Sequence, residues 1–309
     1  MAQRRAILKR KKAAQTIGKI TRAMAMVASL KLQKLRKRML AAAPYAQKLR
    51  EMVAVLAAHV GKLQHPLLRP PTVEDSAKRI VLLVITSNRG LVGAYNSNVL
   101  RMASDFIRRR EGENIAVEVH VTGRKGVAYF TSHGRPLAQR YGQSGDLPTL
   151  ADVEAIATRF ADRFTSGQID SVHVAYTSFV SAGVHRPELL TLLPMAALIG
   201  AAAGTGGQPS TSPGKTGGAV MYDFSPDPNI LLGELLPPTL KVCLFECFLN
   251  AATTEKAARK MATMRATENA DQMFKTLTLR YNRARQDDIT NELMIIVGAA
   301  EAIRTSANT

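Results

Sequence analysis

The sequence predicts a mixed α/β protein: two long helices at the ends of the chain wound together as a coiled coil, with a small α/β domain of mostly parallel sheet between them. Three observations carry this. Apolar residues near the start recur at helical spacing through a stretch that has Pro44 as its one proline; the far end repeats the pattern; and short apolar runs alternate with helical ones in the middle.

From about residue 6 to residue 60, Ile17, Ile20, Met24 and Val27 step by three, four and three, which puts them on one stripe while Lys and Arg fill the other faces. At about 1.5 Å rise per residue, fifty such residues reach roughly 75 Å, longer than a compact domain needs. From about residue 239 to 303 there is no proline, and Gly298 is the only glycine. Phe274, Leu277, Tyr281 and Ala284 form one seam there; Ile289, Leu293, Ile296, Ala300 and Ile303 form another. A narrow apolar stripe on each helix is best buried against the other, so Ile20 and Leu293 are expected inside the seam.

Between the helices, the linker at residues 65–72 (HPLLRPPT) marks a change of texture. Residues 79–86 (RIVLLVIT) suit a buried strand, 95–110 a helix, 115–122 a strand, 152–166 a helix, and 170–180 and 188–193 strands. Residues 200–218 (GAAAGTGGQPSTSPGKTGG) are low-complexity and read as a flexible loop. The expected organisation is a helix over 1–62, an α/β domain over 73–199, the loop over 200–218 and a second helix over 235–309.

Charge is concentrated at one end. The chain has a net charge of +18, yet residues 1–50 hold 15 Lys and Arg and no Asp or Glu, leaving 27 against 24 for the rest. A cationic rod attracts acidic surfaces. Tyr45 is the only aromatic in those fifty residues, which disfavours stacking on single-stranded bases. One alternative is a basic architectural coiled-coil protein that binds nucleic acid through residues 4–38. Another is an α/β enzyme with its site in the turn at residues 86–98.

Chemical motifs are weak. Gly214, Lys215 and Thr216 look like the end of a phosphate-binding loop, but Pro209 stands where the first glycine belongs and no strand precedes it. The turn at residues 87–98 (SNRGLVGAYNSN) could admit a ligand by Gly90 and Gly93, but reads better as a tight strand-to-helix connection with Asn and Ser caps. Six scattered histidines and two cysteines, Cys243 and Cys247, show no metal-ligand spacing, and the cysteines read as packing. No apolar run reaches the roughly 18 residues that span a bilayer. No catalytic, cofactor or metal residues are expected.

Three separated segments nevertheless resemble one family. Residues 19–28 read KITRAMAMVA, residues 86–98 TSNRGLVGAYNSN, and residues 266–270 with 281–297 read ATENA and YNRARQDDITNELMIIV. In that order and spacing they are similar to the gamma subunits of F-type ATP synthases. Ala25 and Ile295 stand where that family commonly has acidic residues, and Ala299 where it has glycine. The resemblance implies an antiparallel coiled coil with a Rossmann-like domain, and a non-catalytic central-stalk rotor. It couples ion-driven rotation of a membrane c-ring to ATP synthesis or hydrolysis in a hexamer of alpha and beta subunits. Alpha and beta subunits, an epsilon subunit and the c-ring are the implied partners; nucleic acid and direct membrane insertion are not. The implied place is the cytoplasmic face of a bacterial plasma membrane, as a peripheral protein. Carried over by motif, Met24, Arg285, Gln286, Thr290 and Glu292 are expected to contact beta subunits. The loop at 200–218 lacks the cysteine pair through which chloroplast members sense redox state.

Overall fold

A computed structural model describes residues 2–59, 65–68, 79–142, 147–181, 183–196 and 227–306. The loop at 200–218, its Gly214–Lys215–Thr216 motif and linker residues 69–72 lie outside the described residues. In chain order the elements are α1 (Ala2–His59), β1 (Arg79–Ile85), α2 (Tyr95–Gly112), β2 (Ala116–Thr122), α3 (Arg124–Ser132), β3 (Gln139–Tyr141), α4 (Leu150–Thr165), β4 (Ser171–Phe179), β5 (His185–Leu193) and α5 (Pro228–Ser306). A 3-10 turn spans Pro66–Leu68. The chain divides into two compact units, Met1–Ala28 with Arg259–Thr309, and Ser29–Ala258.

In the second unit the sheet order is β3-β2-β1-β4-β5, parallel except for the β4–β5 pair. β1 is central because its residues suit burial on both faces: all six from Ile80 to Ile85 are buried. Ile80, Leu82 and Val84 pack against Val99, Ala103 and Phe106 of α2 and Phe130 of α3. Val81, Leu83 and Ile85 point the other way, into a core shared with Val153, Ile156 and Phe160 of α4. Each such side chain contributes about 1.5–3 kcal/mol by leaving water. The short elements α3 and β3 have too few residues to show a period in the sequence.

Two helix starts differ from expectation for local reasons. α4 begins at Leu150 because Thr149 and Asp152 form a reciprocal capping box. α5 begins at Pro228 and runs through Pro237 and Pro238. Asp227 caps it by accepting from the Asn229 amide at 2.8 Å, and Pro228 occupies the first helical position, where no amide hydrogen is needed. The stripe Leu232, Leu236, Leu240 and Leu244, all buried in the core, offsets the cost of the internal prolines. α1 likewise continues through Pro44 and brings Leu49, Val53 and Leu56 inside at three-to-four spacing. Arg50 of α1 forms an ion pair with Glu246 of α5.

Candidate functional site

The turn after β1 is the first candidate, and its polar groups are consumed internally. Asn96 Oδ1 accepts from the Ser87 amide at 3.0 Å while Asn96 Nδ2 donates to Ser87 Oγ at 2.8 Å. Asn88 Oδ1 accepts from the Arg124 amide at 3.1 Å, and Tyr95 donates its hydroxyl proton to the Ala251 carbonyl at 3.2 Å. The expected Asn and Ser caps are not made: the cap of α2 is Ala94, without a side-chain hydrogen bond. Close packing explains the glycines after β2, because a Cβ on Gly123 (φ +94°) would stand 2.1 Å from the Thr86 carbonyl oxygen. This turn fastens β1 to α3 and α5.

The second candidate is the helix pair of the first unit. α1 and α5 run antiparallel there, as successive contacts record. Thr21 and Thr267 hydroxyls meet at 2.7 Å, and Arg22 Nη2 donates to Asp271 Oδ2 at 2.9 Å. Lys11 Nζ lies 5.2 Å from the ring centre of Phe274 and 5.5 Å from that of Tyr281; Arg4 Nε is 3.5 Å from Asp288 Oδ2. The seam on α1 is Ala14, Gly18, Thr21 and Ala28, all buried. Ile17, Ile20 and Val27, expected inside, are instead 51%, 54% and 51% exposed. The spacing is as expected but the phase is one residue off, about 100° around the helix. The helices approach closely here: a Cβ on Gly18 would already be in contact, 3.4 Å from Asp271 Oδ1 and 3.6 Å from Ala270 Cβ, so a side chain larger than a methyl group meets α5.

On α5 the first expected seam is the right one, with Leu277 buried and Phe274, Tyr281 and Ala284 half-buried. The second is not a seam among the described residues. α1 begins at Ala2, and Arg4 already faces Asp288, so the helix beyond that level has no partner among the described residues. Ile289, Leu293 and Ile296 are therefore exposed, as are Met294, Ile295 and Val297. Five consecutive apolar residues, 293–297, cover every face of a helix, which is the pattern of a segment buried on all sides. That run was visible in the sequence.

The expected contact residues occupy two levels. Met24 is half-buried on α1 near the Thr21–Thr267 contact, whereas Arg285, Gln286, Thr290 and Glu292 are exposed on α5. Some twenty residues of α5, about 30 Å at 1.5 Å each, separate the two groups, so the fold does not gather them into one site. Exposed apolar residues follow each group in the chain: Met26 after Met24, and Met294 and Ile295 after Glu292. Among the described residues no cluster of His, Cys, Asp and Glu could hold a metal ion, and no helix is long and apolar enough to cross a membrane.

An antiparallel helix pair that exposes Ile17, Ile20 and Val27 among its cations, and a run of apolar side chains over 293–297, has the surface of a subunit of a larger assembly, because contiguous exposed apolar residues mark sites of protein contact. Comparison identifies which. The ATP synthase family model matches residues 3–303. The ATP synthase gamma chain of Rhodopirellula baltica is 37% identical over 303 residues, covering 98% of this chain and 99% of that one. That of Leptospira biflexa is 36% identical over 303 residues, covering 98% and 100%. The chain belongs to the ATP synthase gamma-chain family, the central-stalk subunits of F-type ATP synthases. Its fold is shared with a chain from the Tetrahymena thermophila mitochondrial ATP synthase central stalk and c-ring, with a TM-score of 0.55 at 20% identity over 80% of this chain and 99% of that one. A chain of the Euglena gracilis mitochondrial ATP synthase gives 0.53 at 14% identity over 96% and 97%.

Proposed function

We propose that this chain is the non-catalytic rotor of its ATP synthase, coupling rotation of a membrane c-ring to ATP synthesis or hydrolysis in a hexamer of alpha and beta subunits. The observation that carries the reading is the exposed apolar end of α5, residues 289–297, which needs an enclosing apolar or amphipathic collar. Above Met24 the helix pair offers Ile17 and Ile20 outward beside Lys19 and Arg22, a mixed surface that acidic loops of beta subunits would meet in turn. Exposed charge pairs of about 0–1 kcal/mol each suit a shaft that slips from one partner to the next. Arg285 and Gln286 below the apolar end, and Thr290 and Glu292 within it, act as the polar contacts. The α/β domain serves the epsilon subunit and the c-ring, and the chain is held at the cytoplasmic face of the plasma membrane through these partners. Nucleic acid plays no part: family membership accounts for the basic helix, which the architectural alternative explains only by leaving the α/β domain unused.

Met24→Lys tests this. The added cation sits beside Lys19, Arg22 and Lys31 and forms a new pair with an acidic loop, which resists rotation. In vesicles carrying the whole complex, ATP-driven ion pumping is expected to fall severalfold more than ATP hydrolysis. Equal loss of both, with a dissociating complex, would contradict the contact.

A further inference from the structure

α2 and α3 pack side by side on one face of the sheet through Phe106, Ile107 and Phe130, and leave between them an open groove of about 780 Å³. On α2, Ser97, Arg101, Ser104 and Arg108 follow at four, three and four residues and so share the face that lines it; Lys125 and Tyr129 of α3 line the other side. Arg101 and Arg108 are about two turns, or about 10 Å, apart along the axis. Ser104 Oγ and Tyr129 Oη meet at 3.3 Å within the groove. Among the described residues, Arg101, Arg108 and Lys125 make no ion pair, although cations nearby do: Arg110 with Glu113 and Arg135 with Glu111. Asp105 is the one carboxylate among the lining residues.

We propose that this groove binds a linear oligophosphate, either free or as part of a nucleoside triphosphate. Two guanidinium forks and an ammonium provide many donors in a row, which suits the dense oxygens of a phosphate chain better than isolated carboxylates; the serine hydroxyls are engaged within the fold, Ser97 on the Ala94 carbonyl and Ser132 on the Tyr129 carbonyl. Gly93 (φ +56°) lies at one end, and nothing stands within 4 Å of where its Cβ would be, so that end stays open. The side chains alone do the binding. The first amides of α3 are already spent, Arg124 on Asn88 Oδ1, Lys125 on the Ser87 carbonyl and Gly126 on Thr86 Oγ1. Nor is there a platform for a base: the Tyr129 ring lies against His133 at 4.2 Å and Phe130 at 5.3 Å, and its hydroxyl is held by Ser104. The groove therefore reads phosphates and not the nucleoside.

Calorimetric titration of the full-length chain with sodium tripolyphosphate, ATP and hexaglutamate tests this. Tripolyphosphate and ATP are expected to bind with similar affinity, and hexaglutamate far more weakly. Arg101→Ala and Arg108→Ala should each weaken tripolyphosphate by about tenfold or more, while Arg109→Ala, the same loss of charge outside the lining, changes it by less than about twofold. Absence of tripolyphosphate binding would overturn the proposal, as would equal loss in Arg109→Ala, which means general charge attraction. Hexaglutamate binding as tightly would make the groove a carboxylate or acidic-peptide site, and ATP binding much more tightly would mean that the nucleoside is read.

Discussion

His173 illustrates what burial does to one side chain. It lies on β4 with Nε2 at 3.1 Å from Ser171 Oγ, Nδ1 at 3.2 Å from Thr191 Oγ1, and its ring 5.0 Å from Phe106. Burial, and secondarily the Arg110 charge, hold its pKa down to about 4 against an ordinary 6.5. Above pH 6.5 both folded and unfolded states are neutral, and the residue adds no pH dependence. Below it the unfolded chain takes up a proton that the fold refuses, so stability is lost as pH falls from 6.5 towards 4, by about 3 kcal/mol for a gap of that size. His173→Gln should flatten the acid limb of urea-unfolding stability in this window without abolishing it, since burial lowers His120 as well. An acid limb parallel to that of the unaltered chain would contradict the account. Spacing gave little hint of this environment: apart from Ser171 on its own strand, what surrounds His173 comes from α2 and β5. Cys243 and Cys247 were legible as packing, and both are buried, with burial pushing the Cys243 thiol up to about 11.

At the scale of elements, the long helices were legible because a period sustained over tens of residues outweighs any local break, even Pro44 or Pro237. The phase of the α1 seam was not. Scoring by apolar size selects Ile17, Ile20 and Val27, while the seam is made of Ala14, Gly18, Thr21 and Ala28, whose smallness is the point. This reverses which substitutions harm the pair. Gly18→Leu overpacks the contact with Ala270 and Asp271 at a cost of about 1–3 kcal/mol, whereas Ile20→Asp places its carboxylate in water and stays within about 0.5 kcal/mol for the isolated chain. Thermal melts followed by circular dichroism check it: Gly18→Leu should lower the midpoint and Ile20→Asp should not. The opposite order would return Ile20 to the seam. Short elements such as β3, three residues long, carry no period and become visible only through pairing with β2.

For the whole molecule, the sequence motifs and the physics meet at the same places: residues 19–28 lie in the helix pair, 86–98 in the turn that fastens β1 to α3 and α5, and 281–297 include the apolar end. The proposed contact residues could be carried over only by resemblance, since Arg285, Gln286, Thr290 and Glu292 are exposed polar residues that no spacing in the sequence sets apart. The central claim, that the chain turns inside a catalytic hexamer, is tested by watching it turn. Thr131→Cys places the one accessible thiol on α3, because Cys243 and Cys247 are buried. A bead attached there, on complexes reconstituted with alpha and beta subunits fixed to a surface, should rotate in one direction when ATP is supplied and stop when it is withdrawn. ATP hydrolysis by assembled complexes whose beads stay still would contradict the account.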